Sequence, residues 1–260
     1  MTDTRYSGSG DPARSMALLW RTQEIASRKG KPDLSVDRIV HAAIALADRD
    51  GLDAVSMRRI AEQLGVGTMS LYTYVPGKGE LLDVMLDTVF GETARPDESV
   101  GDWRQRLELI ARENWALHLR HPWMLQVVTN RAVLGPNVIA KYDDELRAIS
   151  GIGLTDLEMD AVLSLVLGYV RGAARDAVDA AQIERHTGQT DQQWWSVHAP
   201  LLERVLEPAR YPTGARVGAA VGEVYGAAYD PQHLFDFGLQ RVLDGIETFI
   251  ASRSAPPGPP

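Results

Sequence analysis

Apolar residues along this chain recur at helical spacing almost from end to end. Val36, Ile39, Val40, Ala43, Ile44 and Ala47 share one face of a helix that starts behind Ser35 and stops at Asp50-Gly51. Leu34 can staple onto Ile39 across the Ser35 cap. The device then repeats. Ser56 caps MRRIAEQL, Val55 can staple onto Ile60, and the segment ends at Gly65. TMSLYTYV forms a third short helix, stopped by Pro76-Gly77. Three short helices with a glycine turn between the second and third spell a helix-turn-helix unit.

The remaining pattern predicts further helices over 79–92, 103–119, roughly 138–149, 155–183, 192–206 and 232–250, with a Gly/Ala/Tyr-rich connection over 207–231. Sustained β-branched alternation is missing, so the fold class is all-α: an N-terminal three-helix DNA-binding unit and a larger helical bundle. The expected divisions are a disordered leader with a basic arm over 1–33, a helix-turn-helix domain over 34–78, a ligand-binding and dimerisation domain over 79–252, and a disordered tail over 253–260.

Composition narrows the class. At 260 residues and 45% hydrophobic content the chain can bury a substantial core. It has no cysteine, which removes disulfides, thiolate metal sites and a cysteine nucleophile. The opening MTDTRYSGSGDPAR lacks the order of a signal peptide, and no run is long and apolar enough to span a bilayer. A cytoplasmic location, with no membrane partner, is the expectation. The net charge of −8 is unevenly spread: residues 28–78 hold eight Lys and Arg against six Asp and Glu, so the rest is strongly acidic. A basic head on an acidic body suits a localised phosphate contact.

A helix-turn-helix lays its second helix in the major groove with its N-terminal end toward the bases. Thr68 and Ser70 place small hydrogen-bonding groups there, Met69 offers an apolar contact to a thymine methyl, and Tyr72 and Tyr74 carry hydroxyls that reach bases or phosphates. Val66, Leu71 and Val75 face inward. Lys78 stands at the next helix start, where an ammonium and free N–H groups both favour phosphate. Arg58 and Arg59, at the start of the second helix, are placed for backbone or groove-edge contacts. The plainer alternatives are that Thr68 and Ser70 only cap the helix, and that the tyrosines pack in the small core, Tyr72 being the one beside Leu71 and Val75. Arg28, Lys29 and Lys31 are candidates for a minor-groove arm, or for diffuse phosphate attraction alone.

The stretch from Val36 to Asp87, with GLDAVSMRRIAEQLGV, then SLYTYV, a lysine and ELL, resembles the TetR family of transcriptional regulators. The later helices resemble, more loosely, the tetracycline-repressor type of ligand-binding and dimerisation domain. The resemblance implies DNA contacts by Arg58, Thr68, Met69, Ser70, Tyr72, Thr73, Tyr74 and Lys78. One departure is the Pro76-Gly77-Lys78-Gly79 context of the lysine. It also implies a homodimer built on two long C-terminal helices, with Leu163, Leu167, Phe235, Leu239, Val242, Leu243 and Ile246 facing either the partner or their own core. The expected partners are a double-stranded operator and a small-molecule inducer, apolar or aromatic.

Ligand cavities between helices are apolar and aromatic with a few polar groups. Trp115, His118, Trp123, Tyr142, Tyr169 and Trp194 are the candidates to line one, against the alternative that they are core. Arg171 and Arg175 form either an exposed i, i+4 charge pattern or a wall for an anionic ligand. His118 and His121 alone make a poor metal site, so no metal is expected. VPGKGEL lacks the spacing of a phosphate loop, and no nucleophile or zinc motif stands in the required context. Neither catalysis nor a cofactor is expected. The function read here is a ligand-responsive repressor that binds a palindromic operator as a dimer. The alternatives are an activator of the same fold, or a small-molecule-binding helical protein without a DNA role.

Overall fold

The computed structural model describes residues 7–8, 10–22, 34–94, 101–128 and 131–254. Among them the chain is all helical apart from turns and one isolated bridge. The elements are α1 (Pro12–Leu19), α2 (Val36–Asp50), α3 (Met57–Leu64), α4 (Thr68–Tyr72), α5 (Lys78–Phe90), α6 (Trp103–Arg120), α7 (Pro136–Arg147), α8 (Asp156–Thr187), α9 (Asp191–Val205), α10 (Pro212–Tyr225) and α11 (Pro231–Ser254).

The caps do what the sequence asks of them. Ser35 Oγ accepts the Arg38 N–H at 3.2 Å and Ser56 Oγ accepts that of Arg59 at 3.3 Å. Gly65 ends α3 at φ 66°, a left-handed conformation that glycine adopts without strain. The third helix is shorter than TMSLYTYV. Its regular part stops at Tyr72, although Val75 still donates to the Leu71 carbonyl at 2.8 Å.

Two apolar cores organise the chain. The first joins Ile39, Ala43, Ile60, Leu71 and Val75 to Leu81, Met85 and Val89 of α5, and reaches Leu117 and Trp123. The second joins Leu107 and Trp115 of α6 to Val166 and Val170 of α8 and Phe235, Leu239 and Leu243 of α11. Each such fully buried large side chain contributes about 1.5–3 kcal/mol. Leu163, Phe235, Leu239, Leu243 and Ile246 are therefore core residues of their own chain, and Leu167 and Val242 pack beside them. The apolar surface that α8 and α11 leave exposed is different: it comprises Leu157, Leu165, Ile183, Leu234, Phe237 and Phe249.

Three expectations need correction. The leader is not structureless over residues 10–22, because α1 packs on α5 and is anchored by tertiary hydrogen bonds. Gly8 N and Ser15 Oγ donate to the Asp83 carboxylate at 2.9 and 3.1 Å, Asp11 N donates to Glu80 at 3.0 Å, and Trp20 Nε1 donates to the Leu134 carbonyl at 2.9 Å. The connection over 207–231 contains a helix, α10, in which Gly222 admits a neighbour: a Cβ there would stand 2.9 Å from Trp195 Nε1. The tail does not begin at 253, since α11 runs through Ser254; 255–260, like the basic arm at Arg28, Lys29 and Lys31, lie outside the described residues.

Candidate DNA interface and ligand cavity

The α3–turn–α4 unit sorts its side chains by face. Leu71 and Val75 are fully buried, one helical turn apart, and Tyr74 packs partly against the same core. Tyr72 lies a step around the helix and is exposed. The tyrosine that packs is thus Tyr74, not Tyr72. Met69 is 77% exposed, which a core role would not tolerate.

Gly67 is the N-cap of α4 and supplies no side-chain cap, so neither Thr68 nor Ser70 acts as one. Among the described residues, the side-chain oxygens of Thr68, Ser70, Tyr72, Thr73 and Tyr74 make no hydrogen bond within the chain. Arg58 is exposed and pairs with Glu62, one turn on, at 2.8 Å. Arg59 is tied down instead, donating to Asp50 at 2.5 Å and to the Ala54 carbonyl at 3.3 Å. The structure brings Thr68, Met69, Ser70, Tyr72 and Thr73 onto one short helix and its exit turn, and sets Arg59 apart from them.

Lys78 opens α5, whose N-cap Gly77 also lacks a side-chain cap. The Glu80 carboxylate occupies that helix start: a Cβ on Gly77 would lie 2.6 Å from Glu80 Oε2. Gly77, beside the lysine, therefore makes room for a buried acid, which shares the positive end of the helix with any phosphate.

A cavity of about 300 Å³ opens between α5, α6, α7 and α8. Leu86 and Phe90 of α5, Met124 and Leu167 form its apolar wall, and Asn114, His118, Lys141 and Arg171 its polar one. Of the six expected lining residues only His118 is there. Trp115 stacks on Phe235 at 4.0 Å in the second core. Trp123 is buried and donates its indole N–H to Asp48 at 2.8 Å. Tyr142 is exposed and donates to Asp160 at 2.8 Å, and the Tyr169 hydroxyl donates to the carbonyls of Leu234 and Phe235. Trp194 borders a separate, open cleft of about 400 Å³ with Asp176, Asp179 and Tyr229.

Arg171 belongs to the cavity, whereas Arg175 donates to the Leu125 carbonyl and leaves the i, i+4 pattern. Burial first, then the charges of Arg171 and Lys141, push the His118 imidazole down to about 4, so it is neutral at pH 7. Burial likewise lowers the Lys141 ammonium, against the opposing pull of Glu145. Leu86 and Phe90 were within reach of sequence reasoning as an i, i+4 apolar pair on α5. Met124 and Gly168 carried no signal of their own.

A surface-facing helix-turn-helix, joined through one helix to a cavity-bearing bundle, defines a DNA-binding regulator with a small-molecule site. Comparison with known proteins agrees. Residues 39–85 match the family profile described as bacterial regulatory proteins, tetR family, and residues 95–250 match the tetracyclin repressor-like C-terminal domain. The HTH-type transcriptional repressor DrrR1 of Streptomyces coeruleorubidus is 47% identical over 98% of this chain and 93% of its own length. An HTH-type transcriptional regulator of Saccharopolyspora erythraea is 33% identical over 88% and 90%. The crystal structure of Streptomyces coelicolor ActR in complex with actinorhodin superposes with a TM-score of 0.68 at 26% identity, covering 84% of this chain and 99% of that one. The chain belongs to the TetR family. It is a TetR-type transcriptional repressor, not an enzyme, and no helix among the described residues is long and apolar enough to cross a membrane.

Proposed function

We propose that the chain acts in the cytoplasm as a homodimer that holds a palindromic operator and releases it when a small molecule fills the cavity. The observation that carries the DNA half is the state of α4. Its hydroxyls have no partner within the described chain, while its apolar residues are buried. Thr68, Met69, Ser70, Tyr72 and Thr73 are the proposed base and backbone readers, with Tyr74, Arg58 and Lys78 on phosphate. Arg59 is proposed to act mainly by steadying the start of α3 through Asp50.

One such unit reaches too few bases for a tight site, so two must act together. The exposed residues Leu157, Leu165, Phe237 and Phe249 are the proposed dimer face, which places two α4 helices on half-sites about 34–36 Å apart. In this reading 34–78 reads DNA and 79–252 binds the ligand and the partner. The first core nevertheless runs across that boundary from Leu34 to Val89, so α5 moves with the head.

Release follows from linkage: a ligand shifts DNA affinity only by its preference for one arrangement of α5. Lys78 begins α5 and Leu86 and Phe90, at its other end, line the cavity. A coupling of about 1–3 kcal/mol lowers DNA affinity by roughly five- to 150-fold. Footprinting on duplexes recovered by random-sequence selection tests the dimer reading. Two protected half-sites related by a two-fold axis support it; a single asymmetric site contradicts it.

A further inference from the structure

The charged groups on the wall of the cavity between α5, α6, α7 and α8 are answered from within the protein. Lys141 pairs with Glu145, and Arg171 is engaged in an interaction of its own. What the wall leaves unanswered is uncharged. Asn114, 4% exposed, spends both amide hydrogens: Nδ2 donates to the Ile110 carbonyl at 2.8 Å and to the Glu145 carboxylate at 2.9 Å. Those two acceptors fix the orientation of the amide, and Asn114 Oδ1 keeps its lone pairs, with no hydrogen bond among the described residues. His118 lies one turn further along α6, and its Nδ1 is buried without a hydrogen-bond partner. Polar atoms left in that state are costly unless something else satisfies them. Leu86, Phe90, Met124 and Leu167 supply only apolar contact.

We infer that the cavity selects an uncharged, multi-ring molecule bearing a hydroxyl, which donates its proton to Asn114 Oδ1 beside the His118 ring. The inference rests on the cavity being the ligand site. A hydroxyl fits because it donates without needing a counter-charge. An ionised carboxylate brings acceptors only, so it would lose its hydration and still leave Asn114 Oδ1 unpaired. An ether oxygen has the same want of a donor. An ammonium could donate, but no carboxylate is among the lining residues to offset the cost of burying its charge. The rings lie along Leu86 and Phe90, on α5.

The test titrates 2-hydroxyanthracene, 2-methoxyanthracene and anthracene-2-carboxylate, followed by their fluorescence, into the full-length wild type, Asn114→Leu and Gly168→Leu. The three probes share one ring system; the second lacks the donor and the third carries a charge. The wild type is expected to bind the hydroxyl compound at least about fivefold more tightly than either of the others. Asn114→Leu keeps most of the side-chain volume and should bring the hydroxyl compound down to the methoxy level, with methoxy binding kept. Gly168 lines the cavity and has open space where its Cβ would be, so leucine there occludes the cavity without a clash and should abolish binding of all three.

Methoxy binding equal to hydroxyl binding in the wild type overturns the inference, as does a carboxylate that binds more tightly than the hydroxyl compound. That ranking decides the matter even if Asn114→Leu does not fold. A hydroxyl preference that survives in a folded Asn114→Leu also overturns it. If the probes bind Gly168→Leu as they bind the wild type, the cavity reading itself fails, whatever the ranking. If none of the three binds the wild type, the cavity does not take ring systems of this kind and the inference falls.

Discussion

Trp123 donates its indole N–H to the Asp48 carboxylate at 2.8 Å, joining the turn after α6 to the C-terminal end of α2. The same Asp48 oxygen lies 2.7 Å from His121 Nδ1, and His121 Nε2 lies 3.0 Å from Glu92, just past α5. The first helix of the DNA-binding unit is thereby latched to the bundle next to the end of the helix that lines the cavity. Met124, one residue beyond Trp123, faces that cavity.

Trp123→Phe keeps most of the ring and removes the N–H. A double-mutant cycle with Asp48→Ala, read by urea denaturation, should give a coupling energy of about 0.5–3 kcal/mol. Additive losses would show that the bond contributes nothing to holding α2 in place.

The α4 surface predicts losses confined to DNA binding. Tyr72→Phe and Ser70→Ala each remove an exposed or half-exposed hydroxyl with no partner among the described residues, so folding stability should stay within about 0.5 kcal/mol. Operator affinity should fall by about fivefold for each, the worth of roughly one hydrogen bond. Lys78→Gln should instead weaken all DNA alike and flatten the salt slope by about one unit. Anisotropy titrations at several salt concentrations check all three; an unchanged slope removes Lys78 from the phosphate contacts.

The strap formed by residues 7–8 and 10–22 gives a pH signature. Burial pushes the Asp83 carboxyl above its ordinary value, against the pull of the Gly8 N–H and the Ser15 hydroxyl, while the nearby Glu80 charge adds to the rise. A carboxyl raised in the folded state binds its proton more tightly there than in the unfolded chain. Its contribution is fully present below the unfolded value of 3.8 and is lost as pH rises through the higher folded value. Asp83→Asn does not suffer that loss. The melting temperature of the variant relative to wild type should therefore climb between about pH 4 and pH 7. A difference that stays flat over that range would mean that Asp83 carries no desolvation cost.

The exposed face of α8 and α11 predicts the oligomer. Phe237→Asp and Leu165→Asp place charges on 56% and 54% exposed apolar positions, so neither should disturb the second core. Sedimentation should show wild-type dimers and variant monomers, with operator affinity lost together with the dimer. Wild-type monomers at micromolar concentration, or variant dimers, would move the interface elsewhere.

Local chemistry explains what could be read in advance. Ser35, Ser56, Gly51 and Gly65 sit at helix ends where the side chain or the missing Cβ acts within a few residues, so α2 and α3 were legible to the residue. The same holds for Thr155, whose capping box with Glu158 starts α8. The strap was not legible, because α1 is held by Asp83 and Glu80 from nearly seventy residues away. Nor was α10, whose glycines read as a linker until Trp195 is seen packed on Gly222. At the cavity, aromatic residues were the natural candidates, yet Trp115 and Tyr169 go to Phe235 and to backbone carbonyls. The lining comes instead from Leu86 and Phe90 of α5 and Leu167 of α8, together with Arg171, for which a place in a pocket wall was one of the two readings.

The central claim is that α4 reads DNA sequence. Its most direct test is an anisotropy titration of the full-length protein against duplexes from its own upstream region and from random-sequence selection, with scrambled controls, at two salt concentrations. The account predicts tight binding to selected duplexes that weakens steeply with salt and is lost on scrambling. Equal, weak binding to every duplex, the selected ones included, would contradict it.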